Sequence, residues 1–593
     1  MEPARVGTAT RRPRRGSVER PIDMRLVRKV SLVVLAPLLL AVLTLTRPGP
    51  LPAPTLPPSF DAETAAALTS ELVSENANRV PGTLEAGRAV DWFREKLALY
   101  GLSVREDRWV QDVPGVGQVE LVNVAAVVPG TLEETIVFIA HRDNNGRSAG
   151  ANDNASGTAV LVELARPYAT AGTTESARTP LHTLVFLSTD GGAYGGLGAA
   201  RFASRSPLAR GSVAVVSLHG LAGPGRPRIE LSGLDGRSPP PALVSTAISR
   251  IAAETGSEPL RPGVLTQLVS LGLPFGFGEQ SPLLERGVPA IRITTASDAA
   301  SSPAGDELER IDGPLLGQLG RASETILSSL DATVEVPDAT DGAVFLGGRV
   351  LRGWALELLL LAAVLPFAAA TLDLLGRCRH RRLPLAAAWR ALRRRAGFWL
   401  VLVALLGLAA AAGALPRDPR LAPPPDQPPV DSWPLGLAAL LLVAAVLVWL
   451  RVRTQLVPRA RATPEEDLAA YAVAFVALLF VSGATALVSS YGLLFVLPSL
   501  YAWLCLPQLR RAPGWVTDVV FGIGLVGPVL SLVVVAEQLD LGVRTPLYAG
   551  ALATTGVIPW TSTLVFAGWG AIGTLVGAIA AGRYAPVRGS SGR

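Results

Sequence analysis

Thr135-Ile136-Val137-Phe138-Ile139-Ala140-His141-Arg142-Asp143, followed by Gly150-Ala151-Asn152-Asp153-Asn154-Ala155-Ser156-Gly157, is the stretch whose reading decides the fold. The run from Thr135 to Ala140 is apolar after its first residue and stops at His141. A short apolar run without polar alternation reads as a strand buried on both faces of a sheet. Asp153 then opens what reads as a helix, Thr158 to Ala165. Strands buried on both faces belong to sheets covered by crossover helices, and sites on such sheets gather beyond the carboxyl ends of the strands. A histidine at a strand end and an aspartate at the next helix start can converge on one metal ion, so His141 and Asp153 are the first candidate ligands.

The same alternation continues on both sides. Thr83 is placed to cap a helix ending at Gly101, with Ala86, Val90, Phe93, Leu97 and Tyr100 on one apolar face. Val119 to Val128, His182 to Ser188, Val213 to Leu218 and Val288 to Thr294 read as further strands. Helices are expected from Ser156, around Ala199, and from Gly313 to Leu330. This is an α/β fold, a sheet flanked by helices. His141, Asp190 to Ala193, and His219 all fall just past strand ends. The asparagines 144, 145, 152 and 154 read first as turn formers.

The rest of the chain has another character. Of 593 residues, 49% are hydrophobic and only 17% charged, a balance that points to membrane spans. Residues 1–29 form a basic tail with eight arginines and Lys29, expected in the cytoplasm. Residues 30–46 are a continuous apolar run. No small-residue cleavage site follows it, only Arg47-Pro-Gly-Pro, so a transmembrane anchor is expected. A Pro-rich linker, 47–58, leads to a polar domain, 59–338.

Residues 350–582 read as about seven transmembrane helices, near 354–375, 397–415, 434–450, 469–488, 491–506, 515–536 and 563–581, and 583–593 as a cytoplasmic tail. Segment 545–558 is apolar but broken by Gly and Pro. Residues 47–349 hold 34 acidic and 24 basic side chains, a net of −10, so the remainder carries +16. Nearly all those arginines fall in alternate loops between spans, with only Arg417, Arg420 and Arg544 in the others. The positive-inside rule then puts both termini in the cytoplasm and the polar domain outside a multi-pass cytoplasmic membrane protein. This charge distribution argues against nucleic acid as a partner. Trp354, Trp399, Trp433, Trp449 and Trp515 are expected at span ends. Glu357, Asp373 and Asp518 lie near span ends too, which gives no signal for a transport pathway. The two cysteines, Cys378 and Cys505, lie outside the polar domain, which therefore has no disulfide.

The polar domain resembles the co-catalytic zinc aminopeptidases of the aminopeptidase S and aminopeptidase Y kind, which are related to glutamate carboxypeptidase II. Five segments in order carry the resemblance, over about residues 60–330: Asn78-Arg79-Val80-Pro81-Gly82-Thr83, Leu121-Val-Asn-Val-Ala125, Ile139-Ala-His141-Arg-Asp143, Gly150 to Gly157, and Glu285-Arg-Gly287-Val-Pro289-Ala290. It implies a zinc-exopeptidase-like mixed sheet flanked by helices. It also implies two zinc ions bridged by an aspartate, with a glutamate as general base.

Carried over position by position, the first histidine falls on His141 and the bridging aspartate on Asp153. The general-base position falls on Gly192 and the adjacent ligand position on Ala193. The second aspartate is replaced by His219 and the distal histidine by Gln280. One zinc ion at most is expected, on His141, Asp153 and His219, with no catalytic base. Asp190 and Glu279 are the carboxylates near enough in sequence to stand in for it. The metal-free alternatives are Asp153 as a helix N-cap, His141 paired with Asp143 or Asp153, and His219 as a neutral replacement.

Three functions follow as expectations. The first is a membrane-anchored peptidase-like pseudoenzyme that binds a peptide or protein ligand, with the bilayer as its other partner. The second is a metal-dependent aminopeptidase or amidohydrolase using one zinc. The third is a transporter-like protein with an accessory domain. The layout of anchor, outside domain and further spans resembles endoplasmic-reticulum metallopeptidases and the peptidase-like attachment subunit of the GPI transamidase.

Overall fold

A computed structural model describes residues 21–170, 178–231, 233–295, 305–412, 435–458, 462–554 and 556–584. The tail 1–20, Arg417, Arg420, Trp433, Arg459, Arg461, Arg588 and Arg593 lie outside the described residues.

The polar domain is built on a seven-stranded sheet. Its strands are β1 (Val104–Val113), β2 (Gly117–Val128), β3 (Leu132–His141), β4 (His182–Thr189), β5 (Ser212–His219), β6 (Arg228–Glu230) and β7 (Ala290–Thr294). Their spatial order is β1-β2-β4-β3-β5-β7-β6. The central pairs β4-β3, β3-β5 and β5-β7 are parallel, whereas β1-β2, β2-β4 and β6-β7 are antiparallel. The sheet is therefore mixed, with its parallel core where both faces are covered. Side chains alternate along β3: Ile136, Phe138 and Ala140 enter the larger core, while Val137 and Ile139 enter a second core on the other face. Both sets are buried, which is why the sequence shows a continuous apolar run.

Helix Leu84–Leu99 starts where Thr83 accepts a hydrogen bond from the Ala86 amide, and it buries Ala86, Val90, Phe93 and Leu97. Tyr100 follows as its C-cap and is half-buried. Some elements were not expected, and one expectation needs correction. Strand β1 is largely exposed and carries four consecutive charged residues, Arg105 to Arg108, so it gave no apolar run. Helices Ala62–Glu75, Pro241–Thr255 and Val264–Gly272 were also not anticipated. Asp153 does not start a helix: helix Gly157–Ala165 begins four residues later, and the Asp153 side chain caps nothing.

Beyond the domain, a hairpin of Ala343–Leu346 with Arg349–Arg352 leads into the helical region. Seven described helices are long and apolar enough to cross a membrane. They are Met24–Leu43, Gly353–His380, Leu385–Ala411, Ala439–Leu456, Pro464–Val488, Ser490–Gln508 and Trp560–Ala580. The pair Gly514–Ile523 and Val526–Gln538, bent by 55°, makes eight if taken as one span. The first helix begins earlier than the apolar run suggests, because Asp23 caps it by accepting from the Arg25 amide. Segment 545–558 forms a short helix, Thr545–Thr554. Trp399 is not at a helix end. It lies well inside Leu385–Ala411, edge-on to Phe566 and against Gly570.

Candidate metal centre

Three strand and loop ends meet above the centre of the sheet. His141 ends β3 and His219 ends β5, while Asp153 lies in the loop that follows β3. Asp153 Oδ1 is 3.1 Å from Nε2 of His141 and 3.1 Å from Nε2 of His219. The two imidazoles are 5.2 Å apart between ring centres. Among the described residues this is the one group of three or more histidine, cysteine or acidic side chains whose ligand atoms lie close enough to share an ion.

Both candidate histidine ligands are oriented from behind. The other ring nitrogen of His141, Nδ1, lies 3.1 Å from the Asp143 carbonyl oxygen and 3.5 Å from the Asp143 carboxylate. With its proton on Nδ1, the ring presents a bare Nε2 to Asp153. Asp143 is held in turn by the amides of Gly192 (2.8 Å) and Ala193 (3.0 Å). Gly192 and Ala193 thus contribute to the site through their backbone amides. His219 Nδ1 is 3.4 Å from the Thr294 hydroxyl.

The Asp153 loop is pinned by its neighbours. Asp306 accepts from the amides of Asn152 (2.6 Å) and Asp153 (2.8 Å). Asn154 donates to the Leu218 carbonyl, and its oxygen accepts from the Gly157 and Gly220 amides. The asparagine therefore ties the loop to the end of β5. Arg79, fully buried, donates to the carbonyls of Asn76, Arg142, Ala149 and Gly150. Burial draws its pKa down to about 10 despite Asp143, Asp306 and Asp153 nearby.

The charged groups of the cluster compensate one another. Burial alone would lower the pKa of His141, but Asp143 and Asp153 outweigh it and raise it well above the ordinary value. Burial would raise that of Asp153, but His219 and His141 hold it well below the carboxylate range. His141 Nε2 and Asp153 Oδ1 are nevertheless buried without a hydrogen-bond partner. Two imidazole nitrogens and one carboxylate oxygen, with polar atoms orphaned where they converge, fit a zinc ion with an open fourth position.

The two candidate substitute bases are engaged elsewhere. Asp190 is buried; its Oδ2 accepts from the Val122 amide and from Arg142, and its Oδ1 from the Gly191 amide. Burial raises its pKa against the opposing pull of Arg142. Glu279 is buried too, accepting from Thr189 (2.5 Å) and Ser217 (3.2 Å). Gln280 donates to the Phe277 carbonyl and leaves its own oxygen buried without a partner. At Gly192, a Cβ would lie 2.7 Å from Cδ2 of His141 and closer still to Cβ and Cγ of that ring. No carboxylate fits at that position while His141 stands where it does.

Sequence reasoning named the three side chains that converge but did not find the roles of Asp306 and Arg79. Asp306 is more than 150 residues from the loop it holds, and no spacing rule connects them. Arg79 had a signal, its place in the Arg-x-Pro-Gly-Thr turn, which did not reveal what its guanidinium binds.

Residues 123–326 match the model of peptidase family M28. Similar solved structures include a glutaminyl cyclase from Porphyromonas gingivalis, at 20% identity, covering 46% of this chain and 98% of that one with a TM-score of 0.37. A zinc aminopeptidase from Bacillus subtilis is 14% identical, over 47% of this chain and 98% of its own, with a TM-score of 0.38. A leucine aminopeptidase precursor from Bacteroides thetaiotaomicron is 18% identical, over 47% and 99%, with a TM-score of 0.36. No curated protein sequence matches the chain.

Proposed function

We propose that this chain is a membrane-anchored, zinc-binding member of the M28 group. It holds one ion on His141, Asp153 and His219 and binds a peptide or protein ligand beside it, without the two-metal hydrolysis of the aminopeptidases it resembles. The observation that carries this reading is Gly192, whose Cα side is filled by the His141 ring. No base can be placed there, and Ala193 and Gln280 supply no ligand for a second ion. Zinc, when bound, supplies a Lewis acid that can take a carbonyl oxygen or a terminal amine at its open position. The protein's own groups orient that position: Asp143 fixes the His141 tautomer, and Asp306 and Asn154 fix the loop that carries Asp153. Asp190 and Glu279 are both buried and each accepts hydrogen bonds from protein groups on both carboxylate oxygens, which ties them to their strands.

The helical region supports a multi-pass placement with the bilayer as partner, both termini cytoplasmic and the domain outside. The hairpin joining Gly353–His380 to Leu385–Ala411 exposes Arg379, Arg381, Arg382, Arg390, Arg393 and Arg394. A cytoplasmic loop is expected to carry such a cluster. In intact cells an impermeant thiol reagent should label Leu99→Cys but not Arg381→Cys; the reverse pattern would invert the topology.

Metal analysis of the purified full-length chain tests the site. One zinc per chain is expected, falling to none in His219→Ala. Absence of metal from the wild type would end the zinc reading. A panel of amino-acid amides and peptides with amino-terminal glutamine tests the enzyme alternative. Turnover abolished by chelation would replace the binding function with a one-zinc catalytic one.

A further inference from the structure

The loop Leu273 to Gln280 reaches from the helical region to strands β4 and β5, beside the metal centre. Phe275 is buried in an apolar cluster with Val535, Leu539, Tyr548 and Leu552, against which Leu273 and Phe277 also pack. The rings of Phe275 and Phe277 meet edge-on, 5.8 Å between centres. These partners come from the second half of the bent helix pair, Val526–Gln538, and from the residues after it, including Thr545–Thr554. Two residues past Phe277, a reach of at most about 7 Å along the chain, is Glu279.

Glu279 occupies a place defined by the sheet register. Thr189, which donates to one oxygen of Glu279, is the partner of His141 across the β4-β3 pair. Ser217, which donates to the other, is the partner of Ile139 across β3-β5 and stands two residues before His219. Alternation puts Thr189, His141, Ser217 and His219 on one face of the sheet. The carboxylate thus spans β3 on the face from which both histidines project, and binds the strand on either side. Arg292, the register partner of Ser217 on β7, adds a buried cation whose charge acts on Glu230, Asp153 and Glu279.

We propose that Glu279 is a positioning residue for the His141, Asp153 and His219 set, and that its own place is fixed from the helical region through Phe275 and Phe277. Changes in the bent helix pair then alter the metal geometry through this loop. The proposal goes beyond ligand identity but rests on the metal reading for its spectroscopic arm.

The test uses the full-length chain in detergent, loaded with cobalt(II) as a visible stand-in for zinc, with amide hydrogen exchange followed on the metal-free protein. Glu279→Ala should weaken cobalt binding by about 10–100-fold, the range for lost outer-shell partners, and shift the visible cobalt bands. Glu279→Gln, whose amide can still accept from Thr189, should restore most of both. The double variant Phe275→Ala/Phe277→Ala keeps Glu279 and guards against a folding defect at the site. It should reproduce the band shift and speed exchange in residues 186–190 and 215–219, while Leu84–Leu99 exchanges as in the wild type. Wild-type bands, affinity and exchange in the double variant would overturn the coupling. Wild-type cobalt binding in Glu279→Ala would overturn the positioning role. If the wild type binds no cobalt, the metal reading fails separately, and the exchange comparison still decides whether the loop links the two regions.

Discussion

Restoring the acid that the M28 resemblance calls for at position 192 should not restore a peptidase. A Cβ added at Gly192 would lie 2.7 Å from Cδ2 of His141. Cβ and Cγ of that residue lie closer still; carbon atoms in contact prefer about 3.5–4.0 Å, so His141 must retreat by more than roughly 1 Å. The backbone at this position has no positive φ, so the obstacle is space rather than conformation. Overpacking of this size costs about 1–3 kcal/mol, with a midpoint fall of about 2–4 °C per kcal/mol for a domain of this class. The ring cannot retreat without taking Nε2 away from Asp153, now 3.1 Å distant. Zinc–nitrogen bonds require about 2.0–2.1 Å, so a shift of that size empties the ligand position. Gly192→Ala and Gly192→Glu should therefore both lower the melting midpoint and the zinc content, and Gly192→Glu should gain no aminopeptidase activity. The assays are differential scanning fluorimetry, metal analysis and amino-acid amide release on the purified chain. A Gly192→Glu protein with the wild-type midpoint, full zinc content and new turnover would refute the packing argument and the binding function together.

Other expectations follow from the supports of the site. Arg79→Met should cost about 3 kcal/mol, because the carbonyls of Asn76 and Arg142 lose a buried donor and those of Ala149 and Gly150 lose one of two; metal content should fall with it, measured by melting and metal analysis. Arg142→Met leaves Asp190 buried without its cation, a loss of about 3–5 kcal/mol. Replacing both with Met and Asn should recover part of it, which denaturant melts would show. Asp61 caps Ala62–Glu75, and hydrogen bonds from Thr64 and the Glu63 amide, the former the stronger, hold its pKa below the ordinary 3.8. A depressed carboxylate stabilises the fold above its unfolded pKa and loses that contribution as pH falls through the folded value. Asp61→Ala should thus melt below the wild type at pH 6, with the gap closing below about pH 3.8; a gap independent of pH would contradict this.

The parallel centre of the sheet was legible because burial on both faces writes a continuous apolar run, as in β3 and β5. The edges were not. In β1, Arg105, Glu106 and Arg108 face water and interrupt any apolar pattern, while β6 is only three residues long. The convergence of His141, Asp153 and His219 could be anticipated because strand ends are fixed points of such a sheet. What holds them could not, since Asp306 and Glu279 reach the site from loops whose path depends on the whole fold. The long apolar helices announced themselves by composition. The bend at 524–525 and the grip of 535–552 on Phe275 depend on packing between distant segments and leave no local trace.

The bridge between Thr46 and Val350, which exchange both backbone hydrogen bonds, closes the polar domain into a loop with a single stem. Helix Met24–Leu43 leaves at one side of that stem and Gly353–His380 at the other, and the two pack together through Val27, Phe367 and Leu374. The first helix is complete about 310 residues before its partner is made. At about 5–20 residues per second, it waits roughly 15–60 s on the ribosome's timetable. The order of synthesis thus gives the domain time to fold before the stem is tied, and a domain that stalls unfolded would leave the first helix without its mate.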